Sequence, residues 1–290
     1  MNRQSGLALV SVLWGLAILS LIAAAMLSGS RLSIRNSRNA IEDAQARAFI
    51  DAAVNQTVLD LLDRRPDRQP RIDGIAATIQ VLGTPVQVSV EDEFGKIDLN
   101  AADRELLGRL FRTTGLDGAA VDALVDKVLD WRERGNTKHL NGGKADDYRV
   151  GGLPYGPRDG PFQRVDELAL VMGMTPELYQ QIQPALTVYS ARATFNPQTA
   201  PAEALMTLPG FDRQRTNEMI AERGGNPTGL GPVINGRIGP GISLAGWAFT
   251  IRVSVPSTQG RRRAFSTVVR LTNDPRQQFW RLTASEELLR

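Results

Sequence analysis

The hydrophobic pattern opens with twenty consecutive uncharged residues, Leu7 to Met26. At about 1.5 Å of rise per residue this run matches a hydrocarbon layer about 30 Å thick, which predicts a membrane-spanning helix over residues 7–27. A secretory signal peptide also starts with a basic residue, here Arg3, before an apolar run. Its apolar segment is shorter, however, and ends at a small-residue cleavage boundary, for which Ala23, Ala24 and Ala25 are the residues on offer. Past the run, Ile34, Ile41, Ala44, Ala48, Val54, Val58, Leu61 and Leu62 recur near a 3.6-residue period. The helix is therefore expected to continue in amphipathic form and to end at Pro66 and Pro70.

The period then changes to two. Ile75–Gly83 and Pro85–Glu93 alternate about a Gly83-Thr84 turn, and Trp247–Val255, Arg263–Thr272 and Gln278–Ala284 alternate near the other end. These read as strands of one antiparallel sheet, packed on the long helix. Between the two strand groups the helical period returns. Asn100 reads as the cap of a helix over Ala101–Arg112, Val121, Leu124, Val125 and Val128 form a second stripe, and Thr175-Pro176-Glu177 opens a helix through Ile182. The predicted fold class is α+β: a long N-terminal helix packed on an antiparallel sheet, with a large inserted all-α domain at 98–190 of SAM-like, helix-hairpin-helix-like build.

Composition narrows the chemistry. With 34 basic and 31 acidic residues the net charge is +3, too small an excess to mark a nucleic-acid binder by itself. The chain has no cysteine and one histidine, His139, which excludes disulfides, thiolate sites and a histidine-built zinc cage. No serine sits in a nucleophile elbow, and His139 stands in a Lys-His-Leu loop, so the protein is not expected to be an enzyme. Asp166-Glu167 reads as first-turn charge on a helix.

Two segments resemble each other: DLNAADRELLGRLFRTTGLDG from Asp98 and FNPQTAPAEALMTLPGFD from Phe195. Each runs from a turn through a helix into a glycine hairpin. Helix-hairpin-helix units present backbone amides to DNA phosphates. Here the hairpins Gly115-Leu116-Asp117, Gly173-Met174-Thr175 and Gly210-Phe211-Asp212 lack a second glycine, and two carry an acid where a phosphate would sit. Turns between packed helices are the simpler reading. Arg213 and Arg215 keep the alternative of a membrane-tethered DNA-binding protein for DNA uptake.

The leader MNRQSG, ending at Gly6 before an apolar helix, resembles those of type IV pilins and pseudopilins. Together with EDEFGKIDLNAA from Glu91, VLDWRERGNTKHLNGGKADDY from Val128, GPFQRVDELALVMGM from Gly160 and LTVYS from Leu186, it is similar to the protein K family of minor pseudopilins of type II secretion. The resemblance implies a prepilin leader at 1–6, removed by prepilin peptidase, and a methylated Leu7. It implies the transmembrane part at 7–27 and a pilin-like α/β domain split into 28–97 and 191–290 around the insertion. It also implies a single-pass bacterial inner-membrane protein with its bulk in the periplasm. That protein caps the pseudopilus tip and nucleates assembly with minor pseudopilins I and J, and H, with nucleic acid not an expected partner. The fifth residue after the cleavage point, usually glutamate in that family, is Ser11. A buried carboxylate there needs a partner in the subunit above, and a tip subunit has none above it.

The resemblance also directs attention to the glycine-rich loop Asn141–Gly160. Asp130, Asn141, Asp146, Asp147 and Asp159 offer the hard oxygen donors that calcium takes in sixes to eights, and calcium in this region is what the family implies. The sequence departs from the family in Arg132-Glu133-Arg134-Gly135 and in Lys144, whose positive charges oppose a cation. A calcium site and a salt-bridged loop both fit these residues. Trp131 and Tyr148 are expected to pack the loop onto its helices.

Overall fold

The computed structural model describes residues 4–63, 65, 68–223, 233–234, 237–238, 243–256 and 262–289, without the side chains of 1–10, 23–36, 38–39, 224–242, 256–263 and 287–290. The chain forms two compact units, Met1–Ala52 and Ala53–Arg290.

In the first unit the chain is helical from Gln4, the start of α1 (Gln4–Leu62). Val12, Leu13, Trp14, Leu16, Ile18, Leu19, Leu21 and Ile22 all expose half or more of their surface. Among the described residues no helix is long and apolar enough to cross a membrane. Gly6 and Leu7 lie within the helical span, their side chains outside the description, and Ser11 is exposed.

In the second unit the end of α1 buries Ala53, Val54, Thr57, Val58 and Leu61, the spacing of one helix face. The helix stops at Leu62, ahead of the prolines expected to end it. Asp63 turns back on Arg65, accepting from its backbone amide (3.0 Å) and guanidinium (2.6 Å), and the Gln69 amide caps the Asp63 carbonyl at 2.8 Å. Pro66 is outside the described residues.

A five-stranded antiparallel sheet follows, built from β1 (Ala77–Val81), β2 (Thr84–Asp92), β7 (Ala248–Pro256), β8 (Arg262–Asp274) and β9 (Gln277–Leu289), in the order β1-β2-β7-β8-β9. The first hairpin turns on Leu82-Gly83, one residue earlier than the pattern suggested. Both residues are left-handed, with φ 51° and 79°, the geometry that matches the twist of paired strands. Val88 pairs Val253, Val90 pairs Ile251 and Phe249 pairs Val269, so one face of the sheet is a continuous buried apolar surface.

Because β2 and β7 are neighbours, the chain leaves the sheet after Asp92 and re-enters beside its exit at Ala248. The intervening segment holds β3 (Ile97–Asp98), α2 (Arg104–Arg112), α3 (Gly118–Arg132), α4 (Ala145–Val150), α5 (Pro176–Ile182), β4 (Leu186–Thr187), α6 (Ala202–Leu205) and α7 (Arg213–Glu222), then the short pair β5 (Val233–Ile234) and β6 (Arg237–Ile238). Leu107, Leu110, Phe111, Val121, Val125, Val128, Leu168 and Ile182 form the centre of its core. Each is worth roughly 1.5–3 kcal/mol of burial. The two-residue strands β3 and β4 pair in parallel and are too short for any periodicity to reveal.

Asn100 does not cap α2. Asp103 does, accepting from the Leu106 amide at 2.7 Å, and Asn100 instead clasps the Phe162 backbone, amide to carbonyl at 2.9 Å and carbonyl to amide at 2.7 Å. Thr175 caps α5 as expected, with Pro176 in its first turn. Val165–Leu170 is a 3-10 turn rather than an α-helix, and its two acids pair with Arg164 and Arg158.

Gly95 sits where a Cβ would lie 2.8 Å from the carbonyl of Thr199, whereas Gly118, at the first position of α3, faces open space. We predict that Gly95→Ala lowers unfolding stability by about 1–3 kcal/mol, while Gly118→Ala is neutral or stabilises by about 0.5 kcal/mol. Denaturant midpoints measure both; equal effects would contradict the close approach at Gly95.

Candidate functional site

At the point where β2 leaves the sheet, a run of acids turns inward. Asp92 and Glu93 are almost fully buried, as is Asp98 five residues on. Burial of ionisable groups is expensive unless each is fully hydrogen-bonded, and these are. Asp92 accepts from the Phe94 amide at 2.9 Å and from the Thr199 hydroxyl at 2.8 Å. Glu93 accepts from the hydroxyls of Thr187 on β4 and Thr250 on β7, the latter at 2.5 Å, and from the Lys96 ammonium at 2.8 Å. Lys96 also reaches Glu91 at 2.8 Å, and Glu91 in turn pairs with Arg252. Asp98 accepts from the amides of Asn100 (2.8 Å) and Ala191 (2.7 Å) and from the Ser190 hydroxyl (3.2 Å). One cluster thus joins β2, β7, β4 and the segment before α6.

The charge states follow from these neighbours. Burial pushes the Asp92 carboxyl up to about 6, against the pull of the Phe94 amide and the Thr199 hydroxyl. For Lys96 burial works the other way, but the carboxylates of Glu93 and Glu91 outweigh it and hold the ammonium above its ordinary value. Glu91 stays below the usual range because Lys96 and Arg252 outweigh its own desolvation. A cleft of about 420 Å³ opens beside the cluster, lined among others by Tyr189, Arg223, Ile220 and Arg252. Nothing in this arrangement pairs a nucleophile with a base. It is a joint.

The three hairpins share one device. Gly115, Gly173 and Gly210 are left-handed, with φ 85°, 93° and 76°. The next residue in each, Leu116, Met174 or Phe211, packs on the helical core, and the third caps the following helix. Asp117 accepts from the Ala120 amide at 2.7 Å, Thr175 from Leu178 at 3.3 Å and Asp212 from Arg215 at 2.7 Å. The helix N-terminal amides that a phosphate would need are met by the protein's own side chains. The internal repeat starts with a matching turn, Asp98 holding the Asn100 amide and Asn196 holding the Gln198 amide at 3.1 Å.

The loop residues read as calcium donors are placed separately. Asp130, fully buried on α3, accepts from the amides of His139 (3.2 Å) and Gly143 (2.9 Å) and faces the His139 ring nitrogen at 2.7 Å. Asp147 holds Lys138 at 2.6 Å and the Lys144 amide at 2.9 Å, and Lys138 is the main reason its carboxyl lies below the usual range. Asp146 pairs with Arg149 and is largely exposed, Asp159 pairs with Lys144, and the backbone amide of Asn141 donates to Asp126 at 2.9 Å. Among the described residues the one group of acids and histidine close enough to share an ion is Asp130, Glu133 and His139. The five expected donors therefore form no common oxygen cage, and they do not fit calcium. His139, read as a loop histidine, faces Asp130 at 2.7 Å. Trp131 and Tyr148 do pack the loop: Trp131 stacks on Phe162 at 5.9 Å, and Tyr148 is fully buried, its hydroxyl pushed up to about 12 by desolvation.

Sequence reasoning passed over Asp92, Glu93, Asp98 and Asp126 as site residues. For Asp92 and Glu93 the signal was the acidic triplet Glu91-Asp92-Glu93 closing an alternating strand. For Asp126 it was the i, i+4 spacing to Asp130 on an otherwise apolar stripe.

Comparison with known proteins agrees with this architecture. Residues 89–191, which begin on β2 beside the acidic cluster and end at Ala191, match the family described as type II secretion system (T2SS), protein K. A type II secretion system protein K of Pseudomonas aeruginosa is 24% identical over 245 residues, covering 76% of this chain and 73% of the relative. Another, of Klebsiella pneumoniae, is 24% identical over 203 residues, covering 63% and 62%. Among solved structures, a chain of the GspK-GspI-GspJ complex from the enterotoxigenic Escherichia coli type 2 secretion system superposes with a TM-score of 0.58 at 13% identity, over 86% of this chain and 98% of that one, which is a likeness of fold. The fold is α+β, a mix of helices and antiparallel sheet like that structure's. Residues 89–191 thus carry a domain of the type II secretion system protein K type.

Asp92 gives the cluster a measurable signature. Its folded pKa of about 6 exceeds the ordinary 3.8, so its contribution to stability is complete below the ordinary value and is lost as pH rises through about 6. Relative to Asp92→Asn, wild-type stability is predicted to fall by up to about 3 kcal/mol between roughly pH 4 and pH 7. Parallel denaturation curves for the two proteins at each pH test this, and a constant difference across the range would contradict the buried, protonated state.

Proposed function

We propose that this protein is a minor pseudopilin that caps the tip of the type II secretion pseudopilus and nucleates its assembly with minor pseudopilins I and J. The observation that carries this reading is the likeness of fold, over 86% of this chain and 98% of that one, to a chain of the GspK-GspI-GspJ complex. The family match and the apolar exposed stretch Val12–Ile22 support it, since an assembly subunit must offer a surface of this kind to lipid or to a neighbouring helix. Residues 7–27 anchor the chain in the inner membrane with the remainder in the periplasm, and prepilin peptidase cuts after Gly6 to leave a methylated Leu7. Pseudopilin H is a further partner in the same assembly. The helical elements between β2 and β7 form an insertion in a pilin-type frame.

The function is binding rather than turnover. A carboxylate at the fifth mature position would need a cationic partner in a subunit above, and Ser11 removes that requirement. The DNA-binding reading loses its support from the hairpins, whose helix-opening amides are held by Asp117, Thr175 and Asp212.

Co-expression of the full chain with pseudopilins I and J and a prepilin peptidase tests the proposal. Mass spectrometry is expected to find N-methylated Leu7 as the mature terminus, and the three pseudopilins are expected to purify as one complex. A mature terminus elsewhere together with no association would overturn it, as would salt-dependent binding of duplex DNA by the same protein.

A further inference from the structure

Lys144 is buried, which is unusual for a lysine, and its surroundings explain why it is tolerated. Its ammonium donates to the carbonyl of Asp130 at 2.7 Å, the carbonyl of Glu133 at 2.9 Å and the carboxylate of Asp159 at 2.9 Å. An ammonium has three donors, and here each has its acceptor. The two carbonyls lie at the C-terminal end of α3, where the helix leaves oxygens without intrahelical partners and where its dipole favours a positive charge. Two backbone carbonyls and a carboxylate converging on one point is also how a loop holds a divalent cation, and the point is taken by a side chain.

The neighbouring acid is equally committed. Asp130 spends its oxygens on the amides of His139 and Gly143 and on the His139 ring. Gly142 is required for this approach, since a Cβ there would lie 1.8 Å from an Asp130 oxygen. His139 Nε2 lies 3.9 Å from Glu133, so the one group close enough to share an ion among the described residues, Asp130, Glu133 and His139, stands apart from the ammonium's three acceptors. A divalent ion entering this loop would have to expel an ammonium that is already neutralised by Asp159.

We propose that Lys144 is the built-in cation of the 138–160 loop, occupying the position a metal ion would take, so that the loop closes onto α3 and opens α4 without binding metal. The same residue touches both elements through hydrogen bonds: its ammonium seats on α3, and its backbone amide donates to Asp147, at 2.9 Å, in the first turn of α4.

Hydrogen exchange on the full-length chain, followed by mass spectrometry with either calcium chloride or a chelator present, is the test. In the wild type, exchange across 138–160 is expected to be the same in both conditions. Lys144→Gln should speed exchange in that segment by about tenfold or more and leave β7 and β8 unchanged, because the segment then opens locally. Asp159→Asn, which keeps the ammonium and both carbonyls, should speed it by a smaller factor and remain indifferent to calcium. Slower wild-type exchange in calcium than in chelator would overturn the proposal, as would a Lys144→Gln loop as protected as the wild type. Should Lys144→Gln fail to fold, Asp159→Asn decides: exchange unchanged from wild type, or slowed by calcium, overturns it.

Discussion

Everything in the larger unit depends on burying three acidic side chains where β2 leaves the sheet. Asp92, Glu93 and Asp98 are each withdrawn from water, and each is stable there only because donors arrive from distant parts of the chain: Thr187, Ala191 and Thr199 from the far end of the helical segment, Thr250 from the returning strand. Hydrogen bonds to charged groups contribute about 1.5–3 kcal/mol each, but leaving one such group without its partner costs about 3–5 kcal/mol. That asymmetry makes the cluster a specificity device. A helical segment docked in another register would strand a buried charge, whereas apolar surfaces alone would tolerate slippage.

The cluster also explains features that look unrelated. Gly95 must lack a side chain because the Thr199 backbone passes against it, bringing the Thr199 hydroxyl to Asp92. Ala191 sits in the left-handed region, at φ 52°, with its amide on Asp98. Lys96 and Arg252 supply the positive charge that lets Glu91 and Glu93 lie side by side. Asn196, which opens the second copy of the internal repeat, donates its amide to the Phe94 carbonyl at 2.6 Å, so the repeat is attached to the joint at its own first turn.

The sequence made the regular elements legible because their periods are strong. The strands fell within a residue or two of their alternating runs except for the last, which extends further, and the stripe Val121–Val128 and the Thr175-Pro176 start marked helices correctly. The repeat was legible too, because Gly-hydrophobic-cap is a local chemistry that needs no tertiary context. What could not be read locally was who satisfies whom. Asn100 resembled a cap by composition but serves Phe162, sixty-two residues away, and the acids of 130–159 resembled a calcium set because their cations, Lys138, Lys144 and Arg149, stand between them. Asp92 and Glu93 read only as the end of the alternating run Pro85–Glu93. In each case the deciding partner is remote in sequence, so composition indicated the right chemistry and the wrong owner.

If the acidic cluster is the joint that makes one body of sheet and helical segment, the two must unfold together. Native-state hydrogen exchange in increasing denaturant measures this directly, by comparing the opening free energies of amides in α2 and α3 with those in β7 and β8. The account predicts that both sets merge into a single global unfolding reaction, and that they separate when Glu93 is replaced by alanine. Opening of the helical segment at distinctly lower free energy in the wild-type chain, with the sheet still protected, would contradict it.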